Sequence, residues 1–139
     1  MPKSHVVKLT INNKTDEVMN YKSDWFDSGR VADGWSWPAT ISPGSTQIVE
    51  CYEKDYALAG CSGYVNYTLG TGEVTIAFSN PSVGSNKLGV GVGGQPVWDK
   101  MDSHDYKEFT VGFKVEKDKF MATCCCTGGD VNDAQVTLE

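Results

Sequence analysis

Apolar and polar residues alternate with a period of two along most of the chain, and no long segment carries the period of an amphipathic helix. The pattern is clearest over residues 73–92. Val74, Ile76 and Phe78 alternate with Thr75, Ala77 and Ser79, which predicts a strand with one buried face. Leu88, Val90 and Val92 then alternate with Gly89, Gly91 and Gly93, which predicts a strand whose second face is bare backbone. Such a face admits close approach by another backbone, side chain or ligand. Between the two runs, residues 79–86 concentrate Asn, Ser, Pro and Gly and predict a surface turn.

The same alternation predicts strands over residues 5–11, 17–23, 47–53, 62–69, 106–115, 120–126 and 134–138, with hairpins through 70–72 and 116–119 and a connection over 56–61. The fold expected is all-β: a single domain, residues 1–139, forming an antiparallel β-sandwich of roughly nine short strands. Parity along the strands selects Val7, Leu9, Ile11, Val74, Ile76, Phe78, Phe109, Val111 and Phe113 as core. Residues 24–38 show no alternation and predict a long irregular stretch that holds Trp25, Trp35 and Trp37. Aromatic rings there are expected to roof the open end of the core; a ligand or membrane surface is the alternative.

With 139 residues, 40% of them hydrophobic and 11% aromatic, the chain can bury an ordinary core, which excludes a disordered protein. No apolar run approaches the length of a membrane-spanning helix. A net charge of −6 and a single arginine, Arg30, exclude nucleic acid as a partner and disfavour electrostatic attachment to anionic lipid. The start, Met1 to His5, lacks the apolar core of a signal peptide, so an intracellular protein is expected, with a vacuole or storage body as the compartment its function would suggest.

Chemistry is sparse. The two histidines, His5 and His104, stand apart from any metal-ligating or acid–base spacing, so neither enzyme activity nor a metal or other cofactor is expected. Asp130, Asn132 and Asp133 fall short of a calcium loop and predict a solvated turn. The glycines at 89–94 lack the following Lys-Ser/Thr and helix of a phosphate loop. The five cysteines are the unexpected feature. Cys51 and Cys61 are expected as neighbours on adjoining strands and as a candidate further disulfide. In the triplet Cys124, Cys125 and Cys126, alternation sets Cys125 on the face opposite to the other two. An odd total leaves at least one thiol without an intramolecular partner, and Cys124 and Cys126 near a strand end are candidates for exposure. Burial as small hydrophobes is the expectation for Cys51, Cys61 and Cys125.

The phrase Phe78-Ser79-Asn80-Pro81, followed by Ser85-Asn86 and a further strand, resembles the central hairpin of actinoporin-like cytolysins and, more loosely, of aegerolysins. Upstream, Thr10 to Asn13, Ile41 to Gly44, Ala59-Gly60 and Gly63 to Tyr67 extend the resemblance over about residues 6–92. It implies a cytolysin-like β-sandwich that binds membrane lipid. It also implies a head-group site rich in tyrosine and tryptophan after Pro81, whereas residues 82–88 contain no aromatic ring. The amphipathic helix that precedes the first strand in actinoporins has no counterpart in the few residues before His5.

Two functions follow from different classes. The first is a non-enzymatic structural protein whose partner is itself, assembled through sheet edges, the glycine face and an intermolecular disulfide from Cys124, Cys125 or Cys126. In size, acidity and cysteine excess the chain is similar to the disulfide-linked matrix proteins of fungal vacuolar crystals that act as dense gravity-sensing bodies. The alternative is a lipid- or glycan-binding module without its own pore-forming helix, with Trp25, Trp35 and Trp37 as its surface.

Overall fold

A computed structural model describes residues 4–55 and 57–139. Residues 1–3, which open the expected leaderless start, and Tyr56, which opens the expected connection, lie outside the described residues. Eleven strands run in chain order: β1 Val6–Asn13, β2 Met19–Ser28, β3 Arg30–Val31, β4 Thr40–Ile41, β5 Thr46–Tyr52, β6 Gly60–Leu69, β7 Gly72–Pro81, β8 Lys87–Gly91, β9 Phe109–Val115, β10 Asp118–Cys125 and β11 Val131–Leu138. They form a six-stranded sheet, order β3-β5-β1-β11-β10-β9, and a five-stranded sheet, order β4-β2-β6-β7-β8. The β-sandwich expected from the alternation is the fold observed.

Pairing is antiparallel except at the middle of the larger sheet, where the first and last strands run parallel, Val6 opposite Val131 through to Asn13 opposite Leu138. The inward rows, Val7, Leu9 and Ile11 on β1 and Val74, Ile76 and Phe78 on β7, are fully buried, so the strand parity placed them correctly. Phe109, Val111 and Phe113 are only half-buried. Their strand is the last in its sheet, so each ring or branch meets core on one side and solvent on the other. Phe78 sits at the centre, with Phe26 edge-on at 5.7 Å and Trp37 tilted at 6.1 Å.

Three expectations are corrected. Trp25 lies on a strand, not in an irregular stretch: β2 continues to Ser28, and two register shifts along its pairing with β6 erase the period of two. The second shift adjoins Gly63, where a side chain would collide with the carbonyl oxygen of Trp25. A short helix, α1 Gln95–Asp99, begins directly after the glycine run. It and the residues just after it occupy the glycine face, since a Cβ at Gly91 would stand 3.2 Å from Val97 Cγ2 and one at Gly89 3.0 Å from Met101 Cβ, so that face is covered by the chain itself and is not a contact surface for a second copy.

Residues 130–133 are not a solvated turn either. Asn132 shares the inward face of β11 with Ala134, Val136 and Leu138 and is fully buried. Its Nδ2 donates to the carbonyls of Ser79 (3.0 Å) and Lys87 (3.2 Å), and its Oδ1 accepts from the Thr127 amide (3.2 Å). Asn80 donates to the carbonyls of Val6, Gly129 and Asp130, and Asn86 to those of Thr127 and Gly129. Three buried asparagines thus close one end of the core and tie the β7–β8 loop to the opposite sheet. Buried amides survive there because each finds partners.

Candidate functional site

The outward face of β6, β7 and β8 carries three rows of side chains. The first joins Ser62, Ser79 and Lys87, with Ser28 of β2 opposite Ser62; the second joins Trp25, Tyr64, Ala77 and Gly89; the third joins Ser23, Asn66, Thr75 and Gly91. The small residues Ala77 and Gly89 leave room for α1, which brings Trp98 against Trp25 with ring centroids 5.2 Å apart, while Trp25 leans on Tyr64 at 5.4 Å. The third row is wired by hydrogen bonds: Thr75 Oγ1 donates to Asn66 Oδ1 (2.6 Å), Asn66 Nδ2 to Ser23 Oγ (3.1 Å), and the Gly94 amide to Thr75 Oγ1 (2.9 Å). That network anchors the start of α1.

Trp98 Nε1 donates to Ser62 Oγ at 2.9 Å, which fixes the indole over the first row. Together they wall a polar pocket of about 310 Å³ completed by Asp27, Ser28, Ser79, Ser85, Lys87 and Asp99. Hydroxyls, both signs of charge and one aromatic face meet there, the equipment for a compact polar or zwitterionic group. Two loops rise beside it, because Gly60 pairs with Pro81 and the chain on either side leaves the sheet at the same end. Leu58 on one loop is 86% exposed and Val83 on the other 89%.

Trp98 was missed from the sequence, where it stands alone between Val97 and Asp99; the signal was the glycine face, which needed something to cover it. Of the expected tryptophans, Trp25 lies in the ring cluster, whereas Trp37 roofs Phe78 and donates its Nε1–H to Asp24 (2.8 Å), and Trp35 is exposed. The structure does not bring the three into one surface.

Cys51 and Cys61 are buried as expected, whereas the triplet is placed otherwise. Cys124 and Cys126 point into the core and are buried, while Cys125 faces outward and is half-buried, its thiol 3.7 Å from the Tyr106 carbonyl. A bond from Cys124 or Cys126 to a second molecule would require opening the sandwich. Cys51 and Cys61 do not adjoin within a sheet: they belong to β5 and β6 and meet across the core, thiol to thiol. None of the five is bridged.

Burial pushes the Cys124 thiol up to about 12 and the Cys126 thiol to about 11, each from an ordinary 9.0, with neighbouring thiols adding to the rise. Contact with Cys61 and burial raise Cys51 as well, and burial raises Tyr67. The folded state therefore keeps protons that the unfolded chain releases, so stability is intact below about pH 8.5 and falls as pH rises beyond it. Urea midpoints are expected to be level between pH 7 and 8 and to drop steadily from pH 9 to 11; a flat profile to pH 11 would refute this account of the core thiols.

Among the described residues, no cluster of three or more His, Cys, Asp or Glu is placed to hold a metal ion, and no helix is long and apolar enough to cross a membrane. A further close group of titratable side chains lies at β1: Ser4 Oγ donates to Glu53 Oε1 (2.8 Å) and His5 Nδ1 lies 2.9 Å from Oε2. Ser4 and the carboxylate both address the same ring nitrogen, so the arrangement is a brace and not a relay.

Two packed sheets, with a polar pocket at the loop end, define a β-sandwich. No family model and no curated protein matches the chain in sequence. Solved structures do share its fold. The lipid-binding protein Nakanori superimposes with a TM-score of 0.77 at 13% identity, over 100% of this chain and 72% of that one. RahU, solved with a Tris molecule, gives 0.59 at 15% identity over 96% and 93%. IP-1A from Alcaligenes faecalis gives 0.57 at 12% identity over 98% and 92%. These similarities agree with the β-sandwich fold expected from the sequence. They lend nothing to the resemblance with crystal matrix proteins.

Proposed function

We propose that the protein is a non-catalytic lipid-surface binding module that takes a zwitterionic head group in the pocket beneath the β7–β8 loop. The observation that carries this reading is the pairing of that pocket with two fully exposed aliphatic tips, Leu58 and Val83, on the loops beside it. Tips of this kind lose water when they enter the head-group region, each contributing on the order of 1–2 kcal/mol. Lys87 faces the anionic part of the head group, Asp27 and Asp99 the cationic part, and Trp98 supplies the ring that residues 82–88 lack. The net charge of −6 directs the protein away from anionic membranes. Nakanori, similar in fold, is described as lipid binding, which supports the same reading.

Flotation with vesicles of phosphatidylcholine, phosphatidylethanolamine, phosphatidylserine or a neutral glycolipid tests it. The protein should float with one or both zwitterionic vesicles, and Leu58→Asp with Val83→Asp should reduce the bound fraction at least tenfold. Binding to the glycolipid alone would favour a glycan site, and unaltered binding by the double variant would reject the loop end as the docking surface.

Assembly remains as a second reading through Cys125, the one sulfur of the triplet that faces outward, on the strand next to the edge strand β9. Its test is a non-reducing gel of oxidised protein: Cys125→Ser should abolish a disulfide-linked dimer, whereas Cys124→Ser should not. A dimer that survives Cys125→Ser removes this reading.

A further inference from the structure

A groove of about 310 Å³ opens along the side of the sandwich, between β8 of one sheet and β9 of the other. Both strands are the last of their sheets, and the sheets part there without a covering strand. Its walls are apolar: Leu88 and Val90 from β8, Val97 and Met101 from the helical segment, Phe109 and Val111 from β9. Only two of its lining side chains are titratable, Lys100 and His104, and both are exposed. The acidic neighbour Asp99 points to the other side of α1, into the polar pocket. In a chain of net charge −6, an apolar groove whose one cationic lining side chain is a lysine, with a histidine ring able to donate a hydrogen bond beside it, is built for an apolar body with an anionic end.

The backbone that carries His104 is unusual. His104, Asp105 and Tyr106 take φ of 50°, 55° and 59°, three successive non-glycine residues in the left-handed region. Strain of this kind persists where surrounding structure imposes it and gathers at ligand clamps. Here it lays the His104 ring flat on Phe109, centroids 3.7 Å apart, at the edge of the groove. Taking a methylene as about the size of a water molecule in the liquid, roughly 30 Å³, the volume suits a chain of about ten carbons and not a diacyl lipid.

We propose that this groove binds a single-chain carboxylate, a medium-chain fatty acid, with its chain between β8 and β9 and its carboxylate facing the Lys100 ammonium and a ring nitrogen of His104. The site is separate from the head-group pocket, and its test involves no membrane.

The experiment is calorimetric titration of the full chain with decanoate and, in parallel, with decanol. Decanoate should bind saturably, one per chain, with a Kd below about 1 mM. Lys100→Glu should weaken decanoate about tenfold and leave decanol unchanged, and Val111→Trp, which fills the groove, should remove both. Lys100 is exposed, so its variant folds and the two-ligand comparison decides the matter even where Val111→Trp does not fold. No saturable decanoate binding by the parent chain, or equal loss of decanoate and decanol in Lys100→Glu, overturns the proposal.

Discussion

Replacing Phe78 by alanine is expected to lower folding stability by about 3–5 kcal/mol, a large share of the 5–15 kcal/mol typical of a domain. The side chain is fully buried between both sheets, and its ring meets Phe26 and Trp37, so truncation removes apolar contact and two ring pairs at once. Little nearby can collapse into the space, because the strands on either side are held by continuous ladders to Gly63 and Leu88. Urea unfolding of the variant against the parent measures the loss. Val83→Ala, at an exposed tip, serves as the control and should lie within about 0.5 kcal/mol of the parent. A Phe78→Ala loss under 1 kcal/mol would mean that the core is not centred on this ring.

Asn132→Ala is expected to cost about 2–4 kcal/mol, through a different cause. The substitution deletes three hydrogen bonds of a fully buried side chain and takes that partner from the carbonyls of Ser79 and Lys87 and the amide of Thr127. A net bond contributes about 1 kcal/mol, and each buried group left unpaired adds about 1–3. Because both carbonyls flank the β7–β8 loop, amide hydrogen exchange in residues 79–87 should quicken well beyond the change at β6. Equal protection in the loop and a loss below 0.5 kcal/mol would show that the asparagine layer is dispensable.

Resemblance in the Phe78 to Pro81 phrase led to the right fold, yet for a reason different from ligand binding. Asn80 and Asn86 hold the loop to backbone carbonyls across the sandwich and do not face the pocket, so the phrase marks a way of closing the core. The aromatic ring that walls the polar pocket is Trp98, on a five-residue helix some way along the chain. Nothing local to Trp98 announces this. Its position depends on Gly89 and Gly91, whose missing side chains leave room for Val97 and Met101 of the segment that carries it.

What could be read along the chain was set by local alternation. A strand with one dry face must repeat every two residues, so Val7, Leu9, Ile11, Val74, Ile76 and Phe78 declared their burial before any partner was known. Parity also separated Cys125 from Cys124 and Cys126, but it could not say which face was the inner one. That depends on which sheet lies opposite, as does the burial of Asn132 in a stretch whose composition spells a turn. The half-burial of Phe109, Val111 and Phe113 likewise depends on strand order, since the same alternation serves a central strand and an edge strand. Both candidate sites are of this second kind. The polar pocket is a gap between elements far apart in sequence, and the apolar groove, though lined only by residues 88–111, opens between strands of different sheets; a gap has no residue pattern of its own and exists only once strand pairing has placed its walls.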